Sequence, residues 1–251
     1  MNAGDVGTSI DHALEVLRNG GLVAIPTETV YGLAADASNE AAVRSIFAAK
    51  GRPVDHPLIV HVATAEQLPD WADIVPRAAA VLADTCWPGP LTLLVPRAAH
   101  VLSVVTGGRD SVGVRVPAHP MTTELLTRFG GGLAAPSANR FGRVSPTMAA
   151  HVLADLGGDV DYILDGGACP VGVESTIVDC TVTPAQILRP GAITREMLAA
   201  LIGEVQVSAS ILNPMKTGEV AASPGMKYQH YAPSAEVIVV QGNPEQAAKR
   251  I

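Results

Sequence analysis

The sequence predicts an α/β domain built on a mixed parallel and antiparallel sheet. Short apolar runs alternate with segments whose apolar residues recur every three or four positions. Late in the region several strand-like runs follow each other directly, without the helical crossover that parallel neighbours need. Hydrophobic residues are 48% of the 251 and aromatic residues only 4%, so a sizeable core is available and must be mainly aliphatic.

The elements follow in chain order. Ser9 to Arg18 reads as a helix, stopped by Asn19-Gly20-Gly21. Leu22 to Pro26 reads as a short buried strand. Asn39 to Lys50 reads as a helix, with Gly51 behind it as a C-terminal stop. Leu58 to Val62 is a strand and Pro76 to Asp84 a helix. Leu91 to Pro96 and Val112 to Val116 are strands, Pro120 to Phe129 a helix, and Leu133 to Pro136 a strand. Thr147 to Leu156 is a helix. Strands near Tyr162–Asp165, Thr176–Asp179 and Gln186–Arg189 come next, then a helix from Thr194 to Ile202. After Gly203 the period is lost. Residues 1–203 therefore read as one catalytic-sized domain and 204–233 as a linker. Residues 234–251 read as the start of a further α/β domain, with a strand at Glu236–Val240 and a helix opened by Asn243-Pro244. Eighteen residues cannot bury a core of their own, so that domain is expected to be largely missing.

Charge and cysteine usage narrow the function classes. The formal net charge is -7, which argues against a general nucleic-acid coat and leaves room only for a local basic cleft. Arg52, Arg140, Arg143 and Arg189 lie in loop-like sequence, where a solvated helix face does not explain them. Cys86, Cys169 and Cys180 form no CxxC and no zinc spacing, and they suggest reduced thiols in a cytoplasmic protein. No signal-like N-terminus and no run of eighteen apolar residues occurs, so no membrane span is expected.

Three stretches carry candidate chemistry. Val43, Ile46 and Phe47 mark the inward face of their helix, and Lys50, two turns after Val43, shares it. An ammonium there needs an anionic partner or a pocket, and with Arg52 it could hold phosphate. The alternative is that Lys50 complements the helix C-terminal dipole. In the strand 112–116, Val112, Val114 and Val116 face one way, while Ser111, Gly113 and Arg115 face the other. That second face suits a small anionic ligand lying flat on the sheet. Alternatively, Arg115 pairs with a carboxylate on a solvated face. Pro136-Ser137-Ala138-Asn139 follows a strand end and offers backbone N–H groups and hydroxyls to phosphate or base, or makes a plain turn. No GxxxxGK[ST], GxGxxG, GxSxG or HExxH occurs, and no metal-ligand spacing is present.

Seven segments in order resemble one family. They are Pro26–Leu33 (PTETVYGL), Lys50–Pro53 (KGRP), Trp87–Thr92 (WPGPLT), Val114–Pro117 (VRVP), Ala135–Asn139 (APSAN), Gly172–Thr176 (GVEST) and Leu188–Gly191 (LRPG). Together they are similar to the YrdC-like domain of the threonylcarbamoyl-AMP synthases, from about Ser9 to Ile202. The segment Ser223–Pro233 resembles the linker that folds over the active site in the longer, two-domain members.

The resemblance implies a twisted mixed sheet with a concave active-site cleft. It also implies formation of threonylcarbamoyl-AMP and pyrophosphate from L-threonine, bicarbonate or carbon dioxide, and ATP accompanied by Mg2+. The product would serve a tRNA modification beside the anticodon, with tRNA met indirectly through a threonylcarbamoyl-transferase complex and no role for DNA. Lys50 and Arg52 are the implied catalytic residues, against the triphosphate. His56, Ser111, Ser137, Asn139, Ser145, Arg189, Tyr228 and His230 join them around ATP, His56 standing where the family commonly has an amide. Thr29, His61, Arg115, Ala135 and Ser175 match the positions around threonine. The rival readings are an RNA-binding module of the same fold without synthase activity, carbamoyl transfer in hydrogenase maturation, and a stand-alone relative of unsettled role. The negative charge, the absence of CxxC and the linker ending His230-Tyr231-Ala232-Pro233 count against these in turn.

Overall fold

A computed structural model describes residues 5–212. The expected strand and helix after residue 234 lie outside the described residues. In chain order the elements are β1 (Asp5–Gly7), α1 (Ile10–Arg18), β2 (Val23–Ile25), β3 (Gly32–Asp36), α2 (Glu40–Lys50) and β4 (Ile59–His61). A 3-10 turn leads to α3 (Leu68–Trp71), then α4 (Arg77–Cys86), β5 (Leu91–Pro96), α5 (Ser103–Thr106), β6 (Ser111–Arg115) and α6 (Pro120–Phe129). The chain continues through β7 (Leu133–Ala134), α7 (Ala149–Leu156), β8 (Tyr162–Leu164), β9 (Thr176–Asp179), β10 (Ala185–Arg189), α8 (Arg195–Ile202), β11 (Val205–Val207) and α9 (Ala209–Leu212).

Every helix and strand expected between Ser9 and Ile202 is present, with ends shifted by at most two residues. The apolar pattern did not announce β1, β3, α3, α5, β11 or α9. Most of these are three or four residues long, too short to show a period. β3 is longer, but its Gly-Leu-Ala-Ala-Asp sequence lacks the β-branched and aromatic residues that mark strands.

Among the described residues the strands form one 11-stranded sheet in the order β1-β8-β2-β3-β7-β4-β6-β5-β9-β10-β11. The β4–β6, β5–β9, β2–β8, β1–β8 and β10–β11 pairs are parallel, and the others antiparallel. The mixed sheet is therefore as expected.

Helices α2, α4, α5, α7 and α8 bury Ile46, Leu82, Val105, Val152 and Leu198 against one face of the sheet. On the other face, α1 and α6 cover only the half made of β8, β2, β3 and β7, through residues such as Leu14, Leu17, Leu125 and Leu126. Over β4, β5, β9 and β10 that face carries a small cluster of Ile59, Leu94, Ile177 and Leu188, to which no helix contributes. The functional residues collect on this uncovered half.

Candidate active site

The cleft is assembled from the C-terminal end of α2, the uncovered face of β4 and β6, the turn after β7, and the start of β9 with the end of β10. Asn39 starts α2 by accepting the Ala42 N–H at its side chain. Gly51 ends the helix in the left-handed region, φ 62, where glycine alone is unstrained. Its reversal lets the Arg52 N–H return to Phe47 O at 2.9 Å and aims both basic residues inward. Lys50 is 2% exposed and its Nζ donates to the carbonyls of Ser137 and Asn139, so the helix end and the turn after β7 are clasped together. Burial first, and the Arg52 guanidinium second, pull the Lys50 ammonium down to about 7, while Glu174 and Asp155 oppose them. Arg52 Nη2 donates to Pro57 O at 2.9 Å.

The facing predicted for the strands holds. Ile59 pairs with Gly113 and His61 with Arg115, so His61 and Arg115 stand side by side above the cleft. Val60, Val112, Val114 and Val116 point into the core. The His61 ring turns Nδ1 to Ile59 O at 3.3 Å, a contact that only an N–H can make with a carbonyl. Burial, and then the Arg115 charge, drive the imidazole down to about 3, so it is neutral and Nε2 is its acceptor. Arg115 is 3% exposed and pairs with Glu28, Nη2 to Oε1 2.7 Å. A carboxylate partner was one of the two alternatives for Arg115, but the pair is buried rather than solvated, and Arg115 also lines the cavity.

A β-bulge supplies Arg189. Ile187 opposes Val178 and Arg189 opposes Ile177, so Leu188 is an extra residue in β10. Without it, Arg189 would share the core side with Ile187; with it, Arg189 faces the cleft. Its Nη2 then donates to Ser175 Oγ at 2.9 Å and its Nε to Ser175 O at 3.0 Å. Ser175 Oγ also meets Thr92 Oγ1 at 2.8 Å. Gly191 lets the returning chain touch β9, since a Cβ there would lie 2.5 Å from Thr176 N.

One cavity is lined by Lys50, Arg52, His61, Arg115, Ala135, Ser137, Asn139, Ser175 and Arg189, nine of the residues expected around ATP and threonine. Three others contact residues of the lining, and a fourth does not. Thr29 Oγ1 accepts from Arg115 Nη1 at 3.0 Å, and Ser145 Oγ donates to Glu174 Oε1 at 2.7 Å. His56 is buried with its ring edge-on to Phe141 at 5.3 Å. Ser111 shares the cleft side of β6 with Arg115, at the far end of the strand, opposite Pro96. Tyr228 and His230 lie outside the described residues. Sequence reasoning missed Thr27, Val30, Gly32, Ile59, Phe141, Gly142 and Glu174 in the lining. Glu174 was within reach, because it is the only acidic residue of the GVEST segment. Among the described residues no group of three or more His, Cys, Asp or Glu could hold a metal ion, and no helix is long and apolar enough to cross a membrane.

Comparison with known proteins agrees with this geometry. The Sua5/YciO/YrdC family model, described as "Telomere recombination", matches residues 15–191. The model "Threonylcarbamoyl-AMP synthase, C-terminal domain" matches residues 193–250. That match corrects the expectation that the C-terminal domain is largely missing. The residue count behind the expectation started the domain at Ser234, whereas the matching region begins before α8. The threonylcarbamoyl-AMP synthase of Pyrococcus abyssi is 49% identical over 235 residues, which are 94% of this chain and 68% of that one. That of Bacillus subtilis is 46% identical over 237 residues, with the same two shares. The crystal structure of P. abyssi Sua5 complexed with L-threonine matches with a TM-score of 0.92 at 46% identity, covering 99% of this chain and 74% of that one. The chain belongs to the Sua5/YciO/YrdC family, in the group that carries the threonylcarbamoyl-AMP synthase C-terminal domain.

Proposed function

We propose that this chain is an L-threonylcarbamoyladenylate synthase, joining L-threonine, bicarbonate or carbon dioxide, and ATP into threonylcarbamoyl-AMP with release of pyrophosphate. The observation that carries the reading is a single cavity in which Lys50, Arg52 and Arg189 adjoin His61, Arg115 and Ser175. The first group suits a triphosphate, and the second suits an amino acid with a carboxylate and a hydroxyl.

Threonine's amine takes up carbon dioxide and gives up a proton to solvent, forming a carbamate. A carbamate oxygen attacks the α-phosphorus, the bond to the bridging oxygen breaks, and pyrophosphate leaves with its electrons. The chain need supply no nucleophile. It holds two reactants in line and neutralises charge as it moves onto the leaving phosphates. Lys50 and Arg52 take that role at the end of α2. Ser137, Asn139, Ser145, His56, Ser111 and Arg189 complete the nucleotide's surroundings, and Tyr228 and His230 reach it from the linker. Arg115 receives threonine's carboxylate beside Thr29, His61, Ala135 and Ser175. Magnesium arrives with ATP, because it binds mainly through phosphates and water and needs few protein ligands. Glu174 is the carboxylate of the lining closest to that task. The adenylate is a labile mixed anhydride, so a transferase complex acting on tRNA consumes it. In domain terms, residues 1–203 do the chemistry; of the expected linker, Val205–Val207 joins the sheet beside β10, and the part after α9 closes over the cleft.

Separate assays test the two halves of the site. Lys50→Ala and Arg52→Ala should each lower adenylate formation by about a hundredfold, as expected on removing one charge-stabilising group, with an unchanged circular dichroism spectrum. Near-normal turnover in both would sink the phosphate role. Arg115→Ala should raise KM for threonine more than KM for ATP, and the reverse pattern would assign that face to the other substrate. The RNA-binding alternative gains no support, since of the loop arginines Arg52 and Arg189 line the cavity and Arg140 and Arg143 are paired with carboxylates, on a chain of net charge -7.

A further inference from the structure

The Arg115 guanidinium has five N–H groups. Nε donates to Gly89 O at 3.1 Å, Nη1 to Thr29 Oγ1 at 3.0 Å, and Nη2 faces Glu28 Oε1 at 2.7 Å. The Nη2–Oε1 approach is an ion pair without hydrogen-bond geometry, so the N–H groups of Nη2 and one of Nη1 are left to meet a carboxylate. Glu28 is 6% exposed, and its other oxygen accepts the Ala118 N–H at 3.0 Å. Arg115 lines the cavity but Glu28 does not, so Glu28 acts on the cleft only through Arg115.

The turn around Glu28 is built to hold that carboxylate still. Thr27 Oγ1 accepts the Thr29 N–H at 3.1 Å and the Val30 N–H at 3.2 Å, and meets Thr29 Oγ1 at 2.9 Å. The hydroxyl that steadies the turn thus also contacts the one that receives Arg115. A long guanidinium side chain in a buried site needs both a counter-charge and restraint. A carboxylate meets the local demand where an amide would not. Both Glu28 oxygens face donors, and a glutamine would have to turn its NH2 toward one of them.

We propose that Glu28 is a positioning residue for amino-acid binding: it fixes Arg115 so that its remaining Nη N–H groups face the substrate's carboxylate. The proposal rests on the synthase reading. It also gives the PTETVYGL segment a role, which is to set the guanidinium.

The test measures the dissociation constants of L-threonine and of ATP separately by calorimetry, on the unaltered chain, Glu28→Gln, Arg115→Ala and the double variant. Threonine binding by the unaltered chain checks the functional reading, and only the differences between variants bear on Glu28. Glu28→Gln should weaken threonine about tenfold or more and change ATP by less than about twofold. In the Arg115→Ala background it should add no further loss. If Glu28→Gln leaves threonine affinity unchanged, or weakens it equally with and without Arg115, the positioning role is overturned. Should Glu28→Gln not fold, Glu28→Asp keeps both acceptor oxygens on a shorter stem. A selective, partial loss for threonine then supports the role, and no loss overturns it.

Discussion

Lys50 has two tasks that set its chemistry. Its Nζ clasps two carbonyls of the turn after β7 while facing a cavity suited to phosphate. Unfolded, its ammonium titrates near 10.4; folded, burial and Arg52 bring it to about 7. Between those values the unfolded chain binds the proton and the folded chain does not, so this residue's contribution to stability rises with pH from about 7 to about 10. A bound triphosphate reverses the bias. At about pH 8, ATP binding should therefore take up protons, read by calorimetry in two buffers of different ionisation enthalpy. Lys50→Met should abolish the uptake. Binding that releases or ignores protons in the unaltered chain would contradict the phosphate contact.

His61 acts with the same sign in a lower pH window. It is held neutral down to about 3, whereas an unfolded histidine titrates near 6.5. Its contribution is full above about pH 6.5 and is lost as pH falls toward about 3. Urea midpoints at pH 7 and pH 5 should differ less in His61→Gln than in the unaltered chain, and equal differences would remove His61 from the acid response. The inward facing of Lys50 and the alternation of His61 and Arg115 were legible in the sequence, because period alone fixes them. The Glu28 partner of Arg115 was not, since it comes from a turn 87 positions away in the chain.

At the scale of elements, two helix and strand ends decide what enters the cleft. The stop of α2 was legible at Gly51, whereas the structure makes Asn39 its cap rather than its first residue. Asn39→Ala should cost about 1 kcal/mol of stability in denaturant titration, the usual value of a side-chain cap, and leave turnover near normal. A variant as stable as the parent would mean that the cap contributes nothing. The β10 bulge was not readable. Leu188-Arg189 looks like ordinary strand, and only the register against β9 shows both residues turned to one side. β3 escaped for a different reason. It is buried through most of its length and holds two alanines, a glycine and an aspartate among its five residues, so neither alternation nor propensity marks it.

At the scale of the molecule, the site exists because the helices do not cover the sheet evenly. α1 and α6 close one half of the second face, and the strands from β4 to β10 are left to form a floor. The same arrangement reconciles a net charge of -7 with an anionic substrate. Surface arginines such as Arg128, Arg140 and Arg143 are paired with carboxylates, while Lys50, Arg52 and Arg189 line the cavity, Arg189 beside the Glu174 carboxylate at 3.5 Å. Fold class was readable from the alternation of elements. The uneven coverage was not, because it depends on strand order, which no local pattern encodes.

The most direct test is pyrophosphate release from ATP at fixed magnesium, with and without L-threonine and bicarbonate. The account predicts release only when both co-substrates are present, with threonylcarbamoyl-AMP recovered in equal amount. Release that ignores threonine, or its absence from a folded sample supplied with all three substrates, would contradict it.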